Sequence, residues 1–179
     1  INFHTAVFTN LSPEHIERHG SFENYKRTKG KLFQVTKKLH VINAEAEHAP
    51  YFLAIQSKEL YLYASSPEFS LRFTPSAGRG PTRLQKIQSS RVLENENGVN
   101  FQVDDVNFRL HLLGRFNVSN ALAAIAVARS QGIPLSVCSK ALEKMDVVPG
   151  RMEQVVAKPF RVVVDYAFTP AALEKVYQT

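Results

Sequence analysis

Residues 7–33 read VFTNLSPEHIERHGSFENYKRTKGKLF, and this stretch decides the fold. Residues 3–9 are mostly apolar and suit a short buried strand. Residues 10–20 are polar and interrupted by Pro13 and Gly20, which predicts a loop with one turn of helix. From residue 21 to residue 39 the pattern becomes helical. Phe22, Tyr25, Leu32, Phe33 and Thr36 fall on one side, and Ser21 stands where an N-cap belongs. Strand, loop and long helix in that order open an α/β chain.

The pattern continues downstream. Residues 41–43 predict a second strand, and residues 48–56 a helix with Pro50 in its first turn. Residues 60–64 predict a third strand. Between residues 70 and 113 apolar and polar positions alternate, in segments 70–74, 83–93, 99–103 and 106–112. Asn97-Gly98 and Asp104-Asp105 supply turns, so this part predicts an antiparallel meander inserted in the α/β chain. Residues 117–130 form an alanine-rich helix stopped by Gly132 and Pro134, and residues 135–144 a second helix. Val148-Pro149-Gly150 reads as a linker. A strand over 160–166 and a helix over 170–177 follow, with Pro170 suited to the first turn. The organisation expected is one α/β domain over 1–148 and the start of a second over 149–179.

The totals exclude several classes. At 44% hydrophobic and 21% charged residues the chain can build a globular core and is not disordered throughout. No apolar run approaches the roughly 20 residues that cross a bilayer. No signal-peptide pattern opens the chain, so no membrane insertion is expected. Cys138 is the only cysteine; it rules out an internal disulfide, fits a reducing cytoplasm, and reads as a buried apolar residue. The net charge of +6 suits either a nucleic acid or an anionic small molecule. The basic residues are scattered, and the densest group, within 79–86, contains Gly80 and Pro81 and no aromatic residue. Nucleic acid is therefore not expected. The chain begins at Ile1 without a methionine and ends at Thr179 within a predicted helix, so both ends read as cut.

A few residues invite chemistry. At 100° per residue Lys29 falls in the apolar face of its helix, between Tyr25 and Leu32. A buried lysine is costly unless it is paired, neutralised or modified. Two readings follow: a neutral amine able to add carbon dioxide and become a carbamate, or a side chain that snorkels to the surface. His15 sits between Glu14 and Ile16 and near Glu17, as either a cation ligand or a surface histidine. Asn117 and Asn120 stand one turn apart at the start of a helix. They can cap it or present amides to a base edge; capping explains Asn117 better than Asn120. Asp165 ends a strand, where α/β sheets bind ligands, and Arg151 follows a Pro-Gly pair. Each could equally sit in a surface salt bridge.

Taken together, these segments resemble the Mur ligase family. Residues 7–33 are similar to that family's central-domain stretch TNL..DH.D.HG...NY..AK..LF, and residues 41–44 (VINA) to its next strand. Residues 114–124 (GRFNVSNALAA) resemble its adenine-side helix. Residues 148–153 (VPGRME) resemble the hinge into its C-terminal domain, and residues 164–175 (VDYAFTPAALEK) that domain's first strand and helix. The wording is nearest to the UDP-N-acetylmuramoyl-tripeptide synthetase branch. The fold implied is the C-terminal part of the central ATPase-type domain, with its meander, followed by the start of a Rossmann-like domain.

The resemblance also implies roles. Lys29 would be a carbamate that helps His15 hold magnesium. Asn117 and Asn120 would contact adenine. Arg151 and Asp165 would contact the nucleotide, and Phe168, where this branch usually has histidine, could stack on a base. The activity implied is ATP-dependent joining of an amino acid to a UDP-N-acetylmuramoyl-peptide through an acyl phosphate, in the cytoplasm, by a monomer. That is a step of peptidoglycan synthesis, and so of cell-wall growth, cell shape and division. A folylpolyglutamate synthetase shares the architecture, and a non-catalytic homologue serving as a binding subunit is a further reading. Glu14 departs mildly from the family's aspartate.

No G-x-x-G-K-[ST] motif occurs in the sequence; the resemblance puts that phosphate loop before Ile1. Without backbone N–H groups and a lysine to cradle the phosphates, the 179-residue chain alone is expected not to hydrolyse ATP. Phosphate release assayed against a no-protein control checks this, and release above that control would contradict it.

Overall fold

A computed structural model describes residues 2–13, 16–66, 68–69 and 80–179, with Ala171 described by its backbone alone. The strand expected over 70–74 and the residues Glu14, His15 and Arg79 lie outside the described residues.

The chain runs β1 (Thr5–Phe8), α1 (Ile16–His19), α2 (Phe22–Val35), β2 (Leu39–Asn43), α3 (Ala49–Leu53), β3 (Glu59–Ala64) and β4 (Arg83–Asn95). It continues through β5 (Gly98–Val103), β6 (Val106–Leu110), α4 (Phe116–Ser130) and α5 (Leu135–Glu143). The last elements are β7 (Glu153–Val156), β8 (Val162–Val164) and α6 (Pro170–Tyr177). The first six strands form one sheet in sequence order. β1 to β4 pair in parallel, and β4–β5 and β5–β6 pair antiparallel. The meander is therefore not a separate insert. Its first strand, β4, pairs with β3 over Glu59–Ala64 and Arg83–Gln88, so the antiparallel hairpins continue the parallel sheet.

Both faces of the sheet are covered, which is why β2 and β3 are buried almost end to end. Ile42, Leu60, Leu62 and Ala64 point to the side of α2 and α3, where they meet Phe33 and Phe52. Leu39, Val41, Tyr61 and Tyr63 point to the other side, against Val118, Leu122 and Ile125 of α4 and Cys138 of α5. Phe52 stacks on Phe8 with centroids 3.9 Å apart and meets Phe33 edge-on at 4.9 Å. Burying side chains of this size contributes roughly 1.5–3 kcal/mol each. Cys138 is buried as expected, and burial pushes its thiol up, away from reactivity.

Local chemistry sets the helix ends. Ser21 caps α2, its Oγ accepting the Asn24 N–H at 3.2 Å. At the other end buried His40 donates from Nε2 to the Phe33 and Thr36 carbonyls, at 3.1 and 2.7 Å. Burial holds this imidazole below its ordinary value, so it serves α2 as a neutral donor. Pro50 lies in the first turn of α3, and Thr169 caps α6 ahead of Pro170.

Residues 151–179 differ from expectation. A strand unread in the sequence, β7, pairs antiparallel with β8, which is shorter than the 160–166 expected. Only Glu153 among the β7 residues is better than exposed, so no apolar alternation announced it. The first hairpin is also offset by one residue. Asn95 pairs with Gly98, leaving Glu96 and Asn97 as the turn.

Gly98 has φ +130°, and a Cβ there would lie 1.9 Å from the Leu110 carbonyl oxygen. Gly98→Ala should destabilise the chain by about 2–4 kcal/mol, since neither backbone can yield. Gly132 has φ +82° with nothing within 4 Å of such a Cβ. Gly132→Ala should cost only about 1 kcal/mol, the backbone penalty alone. Urea unfolding of both variants checks the pair; equal losses would refute the steric assignment.

Candidate functional site

The parallel strands end on one side of the sheet, and the loops there build a cleft. Its volume is about 290 Å³, and its lining includes Val7, Thr9, Asn10, Ser12, Tyr25 and Lys29. β1 delivers residues 9–12 to one wall, and α2 supplies the other.

Lys29 occupies this wall, but not as a buried residue. The helix buries Tyr25, Gly30 and Phe33, and Lys29 is exposed. Its helical phase is inward, as the sequence implies, yet it lines the open cleft beside Val7, Thr9 and Tyr25 rather than packed sheet. Its Nζ lies 5.4 Å from the Tyr25 ring centroid, a cation–π contact. The lysine that does pack inward is Lys26, its side chain 15% exposed, paired with Glu23 at 2.7 Å and lying over the Phe22 and Tyr51 rings.

A second group stands at the start of α4, on the other face. Neither asparagine is the N-cap. The helix begins at Phe116, and the cap residue Arg115 makes no side-chain capping bond. Asn117, buried, instead donates from Nδ2 to the Leu113 carbonyl at 2.7 Å, bracing the loop before the helix. Asn120 is exposed and donates to Asn117 Oδ1 at 3.0 Å. The exposed second amide is thus steadied by the buried first.

A residue the sequence reading passed over links these two groups. Asn43, at the end of β2, donates to the Thr9 carbonyl at 2.8 Å and reaches Ser119 Oγ of α4 at 3.5 Å. Its own Oδ1 accepts the Glu45 N–H at 3.1 Å. Tyr63 lies beneath, its hydroxyl 3.5 Å from the Phe8 carbonyl and bonded to Ser119. Burial raises this phenol far above its ordinary value, so it stays a neutral donor. Glu45 then fixes the loop after β3, accepting from Ser65 N, Ser65 Oγ and Ser66 N, each at 2.7 Å. An asparagine ending an apolar strand was the available signal.

The third group, around residues 150–168, keeps its contacts to itself among the described residues. Asp165 Oδ2 accepts the Met152 N–H at 2.8 Å, and Glu153 Oε2 accepts the Gly150 N–H at 2.8 Å. The Arg151 guanidinium lies 5.4 Å from the Tyr166 ring centroid, and Tyr166 meets Phe168 edge-on at 5.5 Å. Tyr166 and Phe168 are 67% and 63% exposed. His15, expected beside Lys29, lies outside the described residues, and among those described no three His, Cys, Asp or Glu side chains gather. No described helix is long and apolar enough to cross a membrane.

Comparison with known proteins gives concordant results. Residues 1–128 match the model of the Mur ligase middle domain. A UDP-N-acetylmuramyl-tripeptide synthetase from Roseiflexus sp. (strain RS-1) is 37% identical over 195 residues, covering 98% of this chain and 35% of that protein. A UDP-N-acetylmuramoyl-L-alanyl-D-glutamate--2,6-diaminopimelate ligase from Halalkalibacterium halodurans is 34% identical over 188 residues, covering 99% and 35%. The crystal structure of MurF from Acinetobacter baumannii shares the fold, with a TM-score of 0.78 at 18% identity over 99% of this chain and 37% of that one. The chain thus spans about a third of the length of these curated relatives.

The amide geometry separates two roles that sequence alone cannot. Asn117→Ala should cost about 1–2 kcal/mol, because it orphans a carbonyl beside a buried position. Asn120→Ala should change stability by no more than about 0.5 kcal/mol, as an exposed helix position. Denaturant unfolding of the two variants decides; equal costs would mean that Asn117 does not brace the loop.

Proposed function

The chain belongs to the Mur ligase family, and from that premise we propose that it is part of an ATP-dependent ligase of peptidoglycan synthesis. The enzyme joins an amino acid to a UDP-N-acetylmuramoyl-peptide by way of an acyl phosphate. We read residues 1–148 as the later part of the central ATP-binding domain and residues 149–179 as the opening of the C-terminal domain. The enzyme works in the cytoplasm as a monomer and serves cell-wall growth, and through it cell shape and division.

The observation that carries this reading is the placement of Lys29 in the cleft at the end of β1, with α4 tied to the same strand ends through Asn43. Asn120 would offer its amide oxygen to adenine, with Asn117 holding it in register. Arg151, Asp165 and Phe168 would meet the nucleotide from the other side. A lysine ammonium repels a divalent cation, so Lys29 fits a magnesium site only as a carbamate. That anion and His15 would then be among its protein ligands. Magnesium, when bound, neutralises phosphate charge. Lys29 is exposed, so carbon dioxide has access to its amine, and the cleft rather than a dry core would hold the carbamate.

In the full-length ligase Lys29→Ala should lower kcat by at least about a hundredfold, the loss typical of a preorganised charged group. Stability should change little, because the side chain is exposed. Arginine should not substitute, since it keeps the positive charge and cannot form a carbamate. A short-chain carboxylic acid added to Lys29→Ala should restore part of the activity. Steady-state kinetics of the three proteins test the assignment; full activity in Lys29→Arg would overturn it.

A further inference from the structure

The link between the six-stranded sheet and β7 reads in sequence as a Pro-Gly spacer, yet its backbone is bonded throughout. Pro149 has no N–H to satisfy. The next three N–H groups all have partners: Gly150 on Glu153 Oε2 at 2.8 Å, Arg151 on the Val148 carbonyl at 2.9 Å, and Met152 on Asp165 Oδ2 at 2.8 Å. The Gly150 carbonyl accepts the Tyr166 N–H at 2.9 Å. Met152 is held at φ +50°, a conformation that a non-glycine residue keeps only when its surroundings impose it. The two residues flanking Arg151 are thus each pinned by a carboxylate, while Arg151 itself projects over the exposed face of Tyr166.

We propose that Glu153 is a positioning residue for nucleotide binding: with Asp165 it clamps the backbone on both sides of Arg151, so that the guanidinium leaves a fixed stem at a fixed angle. The proposal rests on the reading of Arg151 as a nucleotide contact. Glu153 touches no ligand in this scheme. It acts through the Gly150 N–H, and Asp165 acts through Oδ2 on the Met152 N–H. A long arginine on a free Pro-Gly spacer would lose conformational freedom on every binding event, and the clamp removes that loss beforehand.

The test uses the full-length ligase with four proteins: Glu153→Ala, Glu153→Gln, Arg151→Ala and the double variant Glu153→Ala/Arg151→Ala. Amide hydrogen exchange at Gly150 and the KM for ATP are measured for each. Losing one charge-assisted hydrogen bond corresponds to about a tenfold change, so Glu153→Ala should speed Gly150 exchange and raise the KM for ATP by about that factor. Its kcat should fall much less. Glu153→Gln keeps an acceptor oxygen and should stay near the parent in both. The double variant should be no worse than Arg151→Ala, because the two residues act through one contact. Faster exchange with an unchanged KM, additive losses in the double variant, or unchanged exchange in Glu153→Ala would each overturn the clamp. An Arg151→Ala protein with a normal KM for ATP would instead overturn the nucleotide role of Arg151, and the proposal with it.

Discussion

One hydrogen bond ties the site together: Asn43 Nδ2 to the Thr9 carbonyl, at 2.8 Å. A parallel sheet ends with carbonyls and loops that have no further ladder to join, and such ends must be satisfied some other way. Here the last residue of β2 does this for the strand beside it. The bond fixes Thr9, and with it the entry of residues 10–12 into the cleft. The same amide reaches Ser119, so the first turn of α4 sits over the same strand ends. Tyr63 and Glu45 extend the network to β3 and the loop that follows it. The cleft wall from α2 and the asparagine pair of α4 lie on opposite faces of the sheet, and these strand ends are where the two faces meet.

Most of the fold was legible because burial on both faces leaves a plain record. β2 and β3 are mostly apolar and buried on both faces, and α2 carries a helical period with a serine cap. The meander was legible as hairpins but not as part of the main sheet. Alternation along β4 reports which side chains are buried, not whether the neighbouring strand is parallel. β7 was illegible for the reason that it is mostly exposed.

Lys29 shows how far a helical wheel can be trusted. The phase was right, since the residue faces the cleft between Tyr25 and Leu32. The inference from phase to burial was wrong, because that side of the helix borders an open cleft. The premise of a desolvated amine goes with that inference, and what remains is position: an exposed amine at the strand ends. Asn117 offers a parallel lesson. Its place at a helix start suggested a cap, whereas its side chain reaches back to Leu113 and steadies Asn120. For Asn117 the residue type and its location were legible and the partner was not, because Leu113 belongs to a loop with no periodicity.

The central claim is that Lys29 works as an anion made from its own amine and carbon dioxide. Carbon-13 NMR of the full-length ligase equilibrated with labelled bicarbonate tests it most directly. The account predicts a carbamate carbon resonance that is present in the parent protein and absent from Lys29→Ala. Identical spectra from the two proteins, with no carbamate signal in either, would contradict it.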